Sequence, residues 1–277
     1  MRTTLRNLLW TTLLGFGFAL AAHAASVEGI ELHSTDTGSG RAIVFVHGWT
    51  CDTSSWRDQL PAFADDYRVI ALDLPGHGQS DSPADGEFSM SLFAAAVEAV
   101  RAEAGVDEVV LVGHSMGGPV IRQYAVEYPQ HVAGLVAVDG QLDTRSFGGS
   151  RGGGAGPQFT LTTEFRENMI RSMFIPETPA ELQEHILTMM LGAPEATARG
   201  AMDAMFSNRE QLDSHIDAPA LAVMASTGQV PDVDVVREII PNFEAVRMPG
   251  TGHFLMMEKP DEFNAVLRDF LEEIDYR

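Results

Sequence analysis

The stretch VVLVGHSMGGPV, residues 109–120, runs four apolar β-formers into a Gly-x-Ser-x-Gly turn. By composition alone that pattern arises by chance in about one chain in ten of this length. Its setting is what singles out Ser115. A serine between a buried strand and a helix sits on a sharp, strained turn. The turn lifts Oγ clear of the sheet and aims the first N–H groups of the helix at the place where an oxyanion would form. Glycines at 113 and 117 lack the Cβ atoms that would hold strand and helix apart. A serine hydroxyl is a poor nucleophile until a base takes its proton. Of nine histidines, His253 is placed for that role, in MPGTGHFLMMEKP between the last expected strand and the last helix. Loops at the C-terminal edge of a parallel sheet are where ligands bind, and His253 fits the chain order serine, acid, histidine. The chemistry this points to is acyl transfer to water. Cys51 is the only cysteine, so the chain has no internal disulfide and no cysteine-rich zinc site. We expect it to be a small packing residue, since the better nucleophile lies elsewhere.

These side chains need a scaffold, and the hydrophobic pattern supplies one. AIVFVHG (42–48), YRVIALDLPG (67–76), EVVLVGH (108–114), VAGLVAVD (132–139), ALAVMAS (220–226) and FEAVRMP (243–249) read as strands, several apolar enough to be buried on both faces. VEGIELHSTDTG (27–38) reads as an opening strand and a turn. Helices are expected over 54–65, 91–105, 117–128 and 259–274, the last with Pro260 in its first turn. Strands alternating with helices predict an α/β fold, a mostly parallel sheet with helices on both faces. The alternation breaks at the glycine-dense 148–157, and 160–215 reads as several helices rich in methionine: Met169, Met173, Met189, Met190, Met202 and Met205. Methionines at helical spacing belong to a core or to the roof of an apolar pocket.

The chain opens with Arg2 and Arg6, an apolar run over 8–22 and the small-x-small AHA at 22–24. This is the pattern of a signal peptide over 1–24, leaving Ala25 as the new N-terminus and no stable membrane anchor after cleavage. Export to the periplasm or the medium is therefore expected. The chain of 277 residues has a formal charge of −21, and Lys259 is its only lysine. So negative a surface repels phosphates, which excludes nucleic acid as a partner.

Together VFVHGWT, DLPGHGQSD, VGHSMGG and PGTGHFLMMEKP resemble the α/β-hydrolase superfamily, in order and rough spacing over residues 27–275. The resemblance implies an eight-stranded sheet with Ser115 after the fifth strand and His253 after the eighth. It implies a core of residues 25–140 and 216–277 and a helical cap or lid, 141–215, inserted after strand six. Carried over by position, the backbone N–H groups of Trp49 and Met116 would form the oxyanion hole, and His47, His77 and His114 would support loops. Most relatives hold the acid in a loop after the seventh strand. Here that loop is ASTGQVPDVDVV (225–236), and the matching position, Thr227 or Gly228, has no carboxylate. The family's other acid location, at the end of the sixth strand as in some haloalkane dehalogenases, falls on Asp139. Asp232 is the reserve, although PDVD reads more naturally as a helix start.

Dehalogenases and epoxide hydrolases of this superfamily use an aspartate nucleophile, and the epoxide hydrolases also use cap tyrosines; this chain has Ser115 and no tyrosine in 141–219. The expectation is thus an exported serine hydrolase. It would cleave carboxylic esters of small to medium apolar acyl groups through Ser115, His253 and Asp139 and an acyl-enzyme, with a small-molecule ester as partner. No metal or organic cofactor is implied. The alternatives are carbon–carbon bond hydrolysis, lactonase or haloperoxidase-type perhydrolysis on the same fold, or a binding protein on an inactive scaffold.

Overall fold

The structure is a computed structural model that describes residues 25–145, 161–207 and 212–277. The expected leader and the glycine-dense stretch at 148–157 lie outside the described residues. Strands β1 (Ser26–Val27) and β2 (Ile30–Glu31) form a small antiparallel hairpin. The main sheet contains β3 (Ser34–Gly38), β4 (Ala42–Val46), β5 (Arg68–Leu72), β6 (Val109–His114), β7 (Val132–Val138), β8 (Ala220–Ala225) and β9 (Phe243–Met248). Their order is β3-β5-β4-β6-β7-β8-β9, and every pairing is parallel except β3 with β5.

Every residue of β4, β6 and β8 is buried. Successive side chains on a strand point to opposite faces, so both faces must be covered. Helices α2 (Met90–Glu103) and α3 (Gly117–Glu127) pack together, and α9 (Pro260–Glu273) packs against α1 (Gln59–Phe63). Ser89 caps α2 by accepting from the Leu92 amide at 3.0 Å.

Two expectations need correction. Among the described residues the main sheet has seven strands, not eight, so Ser115 follows its fourth strand in chain order and His253 its seventh. The chain turns back at Glu28 and Gly29, both with positive φ (50° and 82°), and the opening segment pairs with itself. That geometry matches the right-handed strand twist, which favours a hairpin. The helix expected over 54–65 is also split, into a 3-10 turn at Thr53–Trp56 and α1. Pro61 has no N–H to give to the Arg57 carbonyl, so a continuous helix would lack a bond there.

Between β7 and β8 the alternation stops and α4 (Thr163–Arg171), α5 (Ala180–Gly192) and α6 (Glu195–Ser207) follow one another. Arg166 crosses from α4 to the carbonyls of Met190 (2.6 Å) and Ala193 (3.0 Å). Met189 and Met190 are buried, and Met169, Met173, Met202 and Met205 pack half-buried against the core. The chain leaving β7 is pinned by Arg145, which ion-pairs with Asp143 and Glu238.

Candidate active site

Five non-glycine residues among those described have positive φ, and three of them stand where strands of the main sheet end: Thr50 (55°) beyond β4, Ser115 (52°) after β6 and Asp139 (41°) after β7. Such conformations cost of order 1–3 kcal/mol each and persist only where the surroundings over-determine them. For Ser115 the surroundings are visible. Its amide donates to Val138 O (2.9 Å), which ties the turn to the end of β7, and its carbonyl accepts from the Gly118 amide (2.9 Å). A Cβ at Gly113 would collide with Gly117 O, and one at Gly117 would lie 2.5 Å from Val46 O. The two glycines therefore let α3 start directly above β6.

Asp139 leaves β7 with its own amide on Val223 O (2.8 Å). Its Oδ1 accepts from the Ala225 amide (2.9 Å) and its Oδ2 accepts from His253 Nδ1–H (2.6 Å). Burial pushes this carboxyl up, but the hydrogen bonds it accepts from His253 and from the Ala225 amide outweigh burial and hold it below the usual aspartate value. With Nδ1 donating to the carboxylate, Nε2 of His253 carries a lone pair and is the nitrogen free to take a proton. Asp232 is elsewhere: it caps α7 (Val233–Arg237), its Oδ1 accepting from the amides of Asp234 (3.1 Å) and Val235 (3.4 Å). The structure therefore pairs Asp139, and not the reserve acid, with His253.

His114 brings the histidine loop to the serine. Its Nε2–H donates to His253 O (2.9 Å), and the two imidazoles lie 4.8 Å apart by their centroids. Since His114 immediately precedes Ser115, Ser115 and His253 stand at the same end of the sheet. The loop after β4 arrives from the other side. A Cβ at Gly48 would fall 2.9 Å from His114 Nδ1 and 3.2 Å from Ser115 Cβ, so this backbone passes in close contact with the serine. Trp49 and Met116 are both buried, and among the described residues neither backbone N–H donates to a protein acceptor.

The other histidines act on loops. His47 accepts the Leu74 amide at Nε2 (2.9 Å) and gives Nδ1–H to Gly48 O (2.8 Å). His77 Nδ1–H donates to Pro75 O (3.0 Å). Burial lowers His47 to about 4 and His77 and His114 to about 3, so all three are neutral at pH 7. Cys51 is buried, and burial pushes its thiol up to about 12, which rules it out as a nucleophile at neutral pH. Among the described residues no three His, Cys, Asp or Glu side chains converge to hold a metal ion, and no helix is long and apolar enough to cross a membrane.

Three features escaped the sequence. Gly228, in the loop after β8, leaves room for the Asp139 carboxylate: a Cβ there would collide with Asp139 Oδ1. Glu258 accepts from the Gly252 amide and from the Thr178 hydroxyl (2.8 Å), fastening the His253 loop. The indole of Trp49 donates to Ala198 O in α6 (2.7 Å). No local pattern signals a bond between positions so far apart in the chain.

Residues 41–151 match the family model described as the alpha/beta hydrolase fold, and the chain belongs to the α/β-hydrolase family. It is similar to a dihydrolipoyllysine-residue acetyltransferase component of the acetoin cleaving system of Cupriavidus necator, at 30% identity over 91% of this chain and 70% of that protein. Among solved structures it is similar to Est816, described as an N-acyl homoserine lactone degrading enzyme, with a TM-score of 0.77 and 27% identity, covering 90% of this chain and 100% of that one. A thermophilic esterase from Thermogutta terrifontis gives a TM-score of 0.74 and 26% identity, covering 91% and 97%. Other relatives include a 2-hydroxy-6-oxononadienedioate/2-hydroxy-6-oxononatrienedioate hydrolase of Paraburkholderia phymatum and a non-heme chloroperoxidase of Kitasatospora aureofaciens. The family supports hydrolase activity for this chain.

Proposed function

We propose that the protein is an exported serine esterase that hydrolyses carboxylic esters of small to medium apolar acids. The observation that carries this is the 2.6 Å bond between His253 Nδ1 and Asp139 Oδ2, next to a serine held at positive φ on the β6–α3 turn. In this reading Ser115 Oγ attacks the ester carbonyl while its proton passes to His253 Nε2. The tetrahedral oxyanion accepts hydrogen bonds from the Trp49 and Met116 amides, each worth about 3 kcal/mol in the transition state. The C–O bond then breaks, the imidazolium returns its proton to the departing alcohol, and an acyl-Ser115 ester remains. Water, deprotonated by the same nitrogen, releases the acid and restores the serine. Asp139 fixes the tautomer of His253 and stabilises its charged form throughout. The helices α4–α6 act as the cap over this site. Export rests on the pattern of residues 1–24; N-terminal sequencing of secreted material should start near Ala25, and retention of Met1 would contradict a cleaved leader.

The names of the relatives favour one rival: carbon–carbon bond hydrolysis or perhydrolysis by the same residues. A panel of p-nitrophenyl esters of graded acyl length, run with wild type and Ser115→Ala, separates the two. The esterase reading expects turnover of acetate and butyrate esters that Ser115→Ala abolishes. No turnover on any ester by wild type sinks it.

A further inference from the structure

The loop that would supply one oxyanion donor is tied by its own side chain to the helical segment above it. Trp49 is buried, and its indole N–H donates to Ala198 O in α6 at 2.7 Å. Within the loop, Cys51 N–H donates to Gly48 O (3.2 Å) and Thr50 sits at φ 55°, a conformation that a β-branched residue rarely takes. A strained loop of this kind relaxes unless its neighbours hold it. The histidine loop on the other side of Ser115 is held by the same segment: His253 N–H donates to Met173 O (3.1 Å), and Thr178 donates to Glu258, which also takes the Gly252 amide. The two loops that flank the serine thus both fasten to residues 161–207.

We infer that Trp49 is a positioning residue: the bond from its indole to Ala198 O holds the loop that carries its backbone amide, and that loop keeps its close approach to Ser115 only while α6 is seated on the core. This rests on the serine-hydrolase reading above. Oxyanion donors act over a range of about 0.4 Å, and small misplacements of a reacting geometry cost up to about a hundredfold in rate. The indole does not act on the substrate. It acts through the amide of its own residue.

The test is Trp49→Phe, which keeps a ring and removes the donor. We expect kcat on p-nitrophenyl butyrate to fall about tenfold or more with KM changed less than about threefold, because the oxyanion exists only in the transition state. Hydrogen exchange of the 47–53 backbone amides should quicken in the same variant and stay as in wild type in Ser115→Ala. A rise in KM at constant kcat would make the indole a wall of the substrate site and overturn the inference; so would unchanged kinetics. If Trp49→Phe fails to fold, benzothienylalanine at position 49 gives the same ring shape without the N–H, with the same expectations. Should wild type hydrolyse no ester, the functional reading fails, and the exchange experiment still decides the tie: unchanged exchange at 47–53 refutes it.

Discussion

Asp139 uses its two carboxylate oxygens for two different tasks. Oδ1 takes the Ala225 amide, which fixes the carboxylate against β8, and Oδ2 takes His253. Replacing it with Asn keeps the size but offers an N–H₂ where Nδ1–H needs an acceptor, which favours the wrong tautomer. We predict that Asp139→Asn lowers kcat by about 10³–10⁴. Asp232→Asn should leave kcat within about twofold, because that side chain caps α7 and Asn caps nearly as well. Steady-state kinetics of the two variants reads this, and the reverse pattern would refute the assignment. Ser115 and His253 are legible from sequence because each lies in a local pattern whose neighbours dictate its geometry. Asp139 follows from the resemblance, by the family's second acid location and the lack of a carboxylate at 227–228, and no local pattern around residue 139 marks it. What fixes it is non-local: the Ala225 amide and His253 hold its carboxylate, which lies against Gly228.

At the scale of elements, the serine turn depends on β6 and α3 approaching without side chains between them. A methyl group at 113 would meet the backbone carbonyl of Gly117, and backbone cannot rotate aside as a side chain can. Gly113→Ala should therefore cost about 3 kcal/mol of stability, read as a lower urea midpoint, and should also cost activity. A midpoint equal to wild type would contradict the close approach. The buried strands are legible because burial on both faces leaves uninterrupted apolar runs. The hairpin of β1 and β2 and the split before α1 are not, because two-residue strands and a single proline give no period to detect. The ties of Trp49 and His253 to α4–α6 join residues far apart in the chain through backbone carbonyls, which carry no sequence signature.

For the whole molecule, the three buried neutral histidines make stability depend on pH. In the unfolded chain each titrates near 6.5; folded, His47 does so near 4 and His77 and His114 near 3. Below about pH 6.5 the unfolded state thus binds more protons, so their contribution is complete above that value and is lost as pH falls toward the folded values. The slope approaches about 1.4 kcal/mol per pH unit for each group. Asp139, held below its usual value, acts in the same direction at lower pH. We predict that the urea midpoint falls steadily from about pH 7 to about pH 5; a flat or rising midpoint would contradict burial of these rings in neutral form.

The most direct measurement of the central claim is covalent. A fluorophosphonate reacts with a serine only where a base and oxyanion donors activate it. Wild type should gain one adduct, mapped by peptide mass to Ser115, and Asp139→Asn should label at least about a hundredfold more slowly. An adduct on another residue, or none on a folded wild-type protein, would contradict the account.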